Sequence, residues 1–171
     1  MAAHDTKTVF VMFDTDDIVY VQRNSPHDGI WIPVRDGDKG ALLLFQRHYS
    51  KYHYADGRKP TRFVGPGERI VLITACGKAM FVWRKFIDKS GQKGINCAIF
   101  RNESKDFLSS DLIKAAEEIA WARWPGERLY TYVNEKEVKS SNPGCCFKKA
   151  GWSLCGRTKK RDLLIFEKNF Q

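Results

Sequence analysis

Two short runs of β-forming residues, Ile95–Phe100 and Arg128–Val133, bracket a single helical stretch, and this spacing constrains the chain more than any other feature. The first run ends in the polar loop Arg101-Asn102-Glu103-Ser104-Lys105-Asp106, as a strand does. Ser109-Ser110-Asp111 then reads as an N-cap cluster, and Leu112, Ile113, Ala116, Ile119, Ala120 and Trp124 form one apolar stripe at helical spacing. Pro125-Gly126 stops the helix. Strands joined by a crossover of that length pair in parallel, so the unit is strand, loop, helix, strand, with the helix N-terminus turned toward an anion.

The flanking segments read as antiparallel structure. Glu68–Ala75 and Ala79–Phe86 form a meander about the turn Cys76-Gly77-Lys78, and the loop Asp88–Gly94 leads into the strand at Ile95. Ahead of it, Thr8–Phe13 is a strand after a ragged terminus at Met1–Lys7, Ile18–Val21 continues or pairs with it, and Asn24–Gly29 is a turn. Ile30–Val34 is an edge strand or no strand at all, because of Pro33. Asp38 is a cap for a helix running to about Tyr52. Asn142 is expected to cap a short helix that accepts Pro143 and ends at Gly151, and two closing strands, Trp152–Gly156 and Leu163–Glu167, flank the basic turn Arg157–Arg161. Trp83, Trp121, Trp124 and Trp152 are assigned to the core. The 171 residues suit one domain, with 1–37 peripheral and 54–67 a mobile loop.

Charge and cysteine content restrict the function classes. A formal charge of +9 favours a polyanionic partner. Five cysteines without a C-x-x-C pair, and no two histidines at ligand spacing, indicate reduced thiols and no metal. No apolar run is long enough to span a bilayer, and no signal peptide opens the chain, so a soluble, cytoplasmic protein is expected. In Phe45–Tyr54 cations alternate with aromatics: Arg47, His48, Tyr49, Lys51 and Tyr52 suit a surface that pairs phosphates and stacks on bases, with Arg58, Lys59 and Arg62 in the loop beyond. The alternative is an amphipathic helix end with a solvated basic face. His48 suits a base or a phosphate contact, and Tyr132 a general acid if its sheet face opens on a cleft. Ser109 serves as cap, cofactor contact or both, and Asn134 is a substrate contact or a turn residue.

The element order from about Gly40 to Lys168, and the Asn142–Trp152 stretch with its Lys-x-Gly-aromatic ending, resemble the GNAT superfamily of N-acyltransferases. The resemblance implies a mixed α/β (α+β) fold: a mostly antiparallel central sheet flanked by helices and splayed between its fourth and fifth core strands. It further implies that acyl-CoA or another activated acyl donor binds at Phe100, Arg101, Asn102, Ser109, Ser110 and Asn142, with Tyr132, His48, Ser109 and Asn134 as the catalytic set. The family's glycines are absent from Glu103–Ser110, and Phe147 stands where the family often has a Tyr acid. Arg47-His48-Tyr49-Ser50, with the basic charge, is similar to the phage-encoded Mom-type DNA-modification proteins, which implies DNA as partner in a host-cell cytoplasm and leaves a homodimer open. Two alternatives stand beside a base-modifying transferase: an acyl-CoA dependent N-acetyltransferase acting on a small amine or protein lysine, and a non-catalytic GNAT-shaped module that binds nucleic acid or protein.

Overall fold

The computed structural model describes residues 8–12, 18–22, 27, 29–87 and 89–171. The expected terminus at 1–7, Phe13, residues 24–26 and 28 of the turn, and Asp88 lie outside the described residues. The elements are β1 (Thr8–Met12), β2 (Ile18–Gln22), β3 (Trp31–Val34), α1 (Lys39–Gln46), β4 (Glu68–Thr74), β5 (Ala79–Lys85), β6 (Ile95–Asn102), α2 (Ser109–Arg123), β7 (Leu129–Val133), α3 (Cys145–Lys149), β8 (Ser153–Arg157) and β9 (Leu164–Lys168). β1 and β2 pair antiparallel as a separate ribbon. The remaining strands form one open sheet in the order β3-β4-β5-β6-β7-β9-β8. All its pairings are antiparallel except β6 with β7, the pair joined through the α2 crossover.

The apolar runs in β4 and β5 are continuous because both sheet faces are covered there. Ile70, Leu72, Phe81 and Trp83 face α2 and α3, where they meet Leu112, Ile113, Ala116, Ala120 and Phe147. Val71, Ile73, Met80 and Val82 face α1 and meet Ala41, Leu44 and Phe45. Three indole N–H groups fasten α2 to this framework: Trp31 and Trp83 donate to the carbonyls of Leu112 and Ala116, and Trp152 donates to the Glu117 carboxylate at 2.6 Å. Trp83, Trp124 and Trp152 are buried as expected, whereas Trp121 is only half-buried and donates to the Glu127 carbonyl. Pro33 lies in β3, which is an edge strand and so needs no amide donor on its outer side.

Three local expectations are corrected. α1 ends at Gln46 with Arg47 as C-cap, so the segment from His48 to Tyr52 is not helical. The aromatic spacing looked helical because the chain turns back and sets Tyr52 edge-on against Phe45, at 5.7 Å between centroids. The N-cap of α2 is Leu108, without a side-chain cap bond, and Ser109 and Ser110 are the first two helical residues. α3 starts after Gly144 in the left-handed region rather than at an Asn142 cap; the Asn142 carbonyl accepts from the Cys145 N–H. The end of α3 is as expected. Gly151 has φ 89, and its N–H and that of Trp152 close on the carbonyls of Lys148 and Phe147, the paired bonds of a Schellman ending.

Candidate functional site

The site forms where β6 and β7 part. Their parallel ladder covers only Ile95–Cys97 against Leu129–Thr131, and the Thr131 hydroxyl closes it by donating to the Cys97 carbonyl at 3.0 Å. Immediately beyond, β6 carries a bulge. Trp83 pairs with Cys97 and Val82 with Ile99, so Ala98 is an extra residue. A bulge increases local twist and turns the strand away from its neighbour. β6 then runs on to Asn102 and β7 to Val133 with no ladder between them.

The segment after α1 is seated on the end of β6. Arg101 donates to the Arg47 carbonyl at 2.7 Å, and the Arg47 guanidinium grips Glu103 through two bonds of 2.8 Å. Arg101 also donates to Glu103 at 2.5 Å, and the two guanidiniums hold the Glu103 carboxyl down to about pKa 2. His48 is buried, and the N–H and hydroxyl of Ser50 both approach its Nδ1, at 3.1 and 2.7 Å, which assigns the ring proton to Nε2. Burial first, and the Arg101 charge second, lower the His48 pKa to about 4, against the opposing pull of the Phe100 carbonyl. His48 is therefore neutral at ordinary pH, with its lone pair engaged by Ser50.

Tyr49 stacks on His48 with centroids 4.5 Å apart. It is 42% exposed over the residue as a whole. Its hydroxyl end is enclosed nonetheless, and that burial raises its pKa against a bond from the Asn134 backbone. Arg161 and Glu137 act on the same phenol with opposite signs. Leu129 and Val133 belong to the core on the α2 side, which places Tyr130 and Tyr132 on the α1 side of β7, as their alternation predicts. Tyr132 is half-buried and edge-on to Tyr130 at 5.6 Å. Asn134 ends β7 in an Asx turn, its Oδ1 accepting from the Lys136 N–H.

The sequence-predicted nucleic-acid residues divide in two. His48 is buried at the sheet end, and Arg47 and Tyr49, though exposed, are held there by Glu103 and by stacking on His48, whereas Lys51, Arg58, Lys59 and Arg62 are exposed on the loop beyond. That loop is ordered around aromatics: the Tyr52 hydroxyl donates to the Arg62 carbonyl at 2.6 Å, Tyr54 meets Tyr52 edge-on, and the Arg58 guanidinium lies 4.2 Å over the Tyr54 ring. Asp36 anchors its far end through the N–H groups of Phe63 and Val64.

On the predicted cofactor side, the Asn102 amide donates to the Phe107 carbonyl and to the Ser109 Oγ, and its Oδ1 accepts from the Ser104 N–H. The N–H groups of Ser109 and Ser110 find no acceptor among the described residues. Two such amides and a serine hydroxyl with its proton still free to donate are the kind of donors a phosphate accepts from, with the carboxylates of Asp106 before the helix and Asp111 in its first turn acting against an anion there. Phe100 points away from this turn, edge-on to Phe147 in the core, and the Asn142 side chain is taken up by Lys148. Phe147 itself is 6% exposed, enclosed by Phe100, Trp152 and Phe166. The residues that sequence reasoning missed are Glu103, which joins the two loops, and Ser50, which orients His48. Only Ser50 had a local signal, its position two residues after the ring it contacts.

Among the described residues no group of three or more His, Cys, Asp or Glu side chains is placed to hold a metal, and no helix is long and apolar enough to cross a membrane. No family model matches the sequence, and no curated protein matches it.

Proposed function

We propose that the chain is a GNAT-like transferase that modifies a base in DNA, or an amine carried on such a base, in the manner of the Mom-type proteins. The observation that carries this reading is the parting of β6 from β7 just past the Ala98 bulge, with Tyr132 on the α1 side of β7 and Tyr49 against the Asn134 backbone at the end of β7. A mostly antiparallel sheet with a single parallel pair supports this reading at the level of architecture. A strand paired on one side only turns alternate N–H groups to its open side, so β6 beyond Cys97 supplies donors for a developing oxyanion.

The N–H groups of Ser109 and Ser110 hold a phosphate of the donor. The donor, acyl-CoA or a related compound, supplies an activated acyl carbon. The amine bonds to the acyl carbon as the bond from that carbon to the donor's leaving group breaks; Tyr132 gives its proton to the departing group and regains one from solvent, into which the proton lost by the amine passes. His48, neutral and fixed by Ser50, positions Tyr49 beside the opening by stacking. The exposed cations of the 51–62 loop bring in the nucleic acid.

The experiment is mass spectrometry of nucleosides from DNA of cells that express the protein, with Tyr132→Phe in parallel. A new nucleoside that weakens in the variant is expected, and an unaltered nucleoside profile overturns the proposal. A second reading, an acyl-CoA dependent acetyltransferase acting on a small amine or protein lysine, is favoured by the Ser109 and Ser110 amides alone. Calorimetric binding of acetyl-CoA, with acetylation of a polyamine or lysine peptide and no new nucleoside, selects it.

A further inference from the structure

The turn between β8 and β9 carries a second cationic surface at this same end of the sheet. β9 pairs with β7 through Leu164 and Val133, and with β8 through Leu164 and Arg157, so the turn lies directly beyond the end of β7. The turn is rigid. The Thr158 N–H donates to the Leu163 carbonyl, the Asp162 N–H to the Thr158 carbonyl, and the Leu163 N–H to the Thr158 hydroxyl, while Asp162 adopts φ 53.

Its charges fall into two groups. Arg157 is spent internally, donating to Glu135 at 2.9 and 3.2 Å and to Asp162 at 3.2 Å, which braces the turn against the loop after β7. Lys159, Lys160 and Arg161 are exposed, and no carboxylate pairs with any of them among the described residues. Three adjacent like charges held in a fixed turn repel one another, and the repulsion is relieved by an anionic chain that brings several charges at once. Because the turn follows directly on the end of β7 past Val133, this surface borders the place where β7 parts from β6. On the other side of that opening, the segment after α1 is fastened to β6 and leads into the cations Lys51, Arg58, Lys59 and Arg62.

We infer that Lys159, Lys160 and Arg161 are a phosphodiester clamp, and that a DNA strand crosses the opening gripped on one side by this turn and on the other by the 51–62 loop. The inference rests on the proposed action on DNA and adds the partner's path. A backbone held on both sides presents the nucleotide between the two grips to Tyr49, so a base reaches the site by leaving its stack. The clamp contacts only phosphates and is indifferent to sequence.

The test is fluorescence anisotropy of labelled single-stranded and duplex oligonucleotides over a salt series. The test variant is Lys159→Gln/Lys160→Gln/Arg161→Gln. The control, Arg69→Gln/Lys89→Gln/Lys93→Gln, removes equal charge at the opposite end of the sheet. Three lost phosphate contacts lower the slope of log K against log salt by about 2 for single strands and somewhat more for duplex, and weaken binding on the order of a hundredfold at low salt. The control keeps the wild-type slope, and both variants keep the wild-type melting temperature. Steep wild-type binding with an unchanged slope in the test variant, or an equal loss in the control, overturns the clamp and leaves the DNA reading standing. No salt-dependent binding by the wild type overturns both.

Discussion

The guanidinium of Arg47 lies flat against the carboxylate of Glu103, two bonds of 2.8 Å joining residues 56 positions apart. With Arg101 on the same carboxylate, this contact ties the segment that carries His48 and Tyr49 to the loop that leads into α2. The donor side and the acceptor side of the proposed site are thereby one unit.

Glu103→Gln is expected to lower stability by about 1 kcal/mol, the scale of a partly exposed bidentate pair, and the melting temperature by about 2–4 °C. The Glu103 carboxyl is depressed from 4.5 to about 2, so its stabilising effect is complete above about pH 4.5 and is lost as pH falls toward 2. Urea unfolding at neutral pH and at pH 2 checks this: the gap between wild type and variant closes in acid.

His48 has the same sign of dependence at higher pH. Its folded pKa of about 4 lies below its ordinary 6.5, so the unfolded chain takes the proton first and stability falls as pH drops through that interval. The effect is on the order of 3 kcal/mol. A ring-proton NMR titration is expected to show inflection near pH 4, and His48→Gln to remove the slope of unfolding free energy between pH 6.5 and 4. An inflection at the usual histidine value would contradict the burial described.

Lys168 bonds to the Glu117 carboxylate at 2.6 Å and to the Ala150 carbonyl at 2.8 Å. Lys168→Ala leaves that carboxylate buried with Trp152 as its remaining donor, at a cost of about 3 kcal/mol. Burial already raises the Glu117 pKa, and removing the lysine raises it further. The penalty should therefore shrink as the medium is acidified and the lone carboxylate takes a proton, which denaturant titrations at two pH values will show.

Gly144 at φ +76 lies under the Phe166 ring, and a Cβ there would meet the ring's Cε2 at 2.4 Å. Gly144→Ala carries both the left-handed backbone cost and an overpacking cost, about 2–5 kcal/mol together. Gly57→Ala, at φ +75 with nothing within 4 Å, carries only the first, about 1–2 kcal/mol. The difference between their urea midpoints measures the contact with Phe166.

Tyr132→Phe is expected to reduce nucleoside modification about a hundredfold, the lower range for loss of a general acid, with melting temperature unchanged. Modification at the wild-type rate in this variant would remove Tyr132 from the chemistry.

The meander, the α2 crossover and the closing hairpin were legible in the sequence because local periodicity and turn residues set them. Three boundaries were not. Phe45 and Tyr52 are seven residues apart, the spacing of two helical turns, yet they touch because the chain folds back after Gln46. Ser109 looked like a cap, but its hydroxyl is drawn to Asn102 on β6. Asn142 looked like one too, and its side chain is held by Lys148 instead. The candidate residues around the opening were readable as residue types, but the contacts that fix them, Arg47 to Glu103 and Tyr49 to the end of β7, join segments far apart in the chain and leave no local pattern.

Ala98 adds one residue to β6 without disturbing the facing of the residues before or after it: Cys97 keeps to the α2 side and Ile99 to the α1 side with or without it. The disturbance therefore falls on the backbone ladder at Ala98 and not on either of the two side-chain layers that β6 serves.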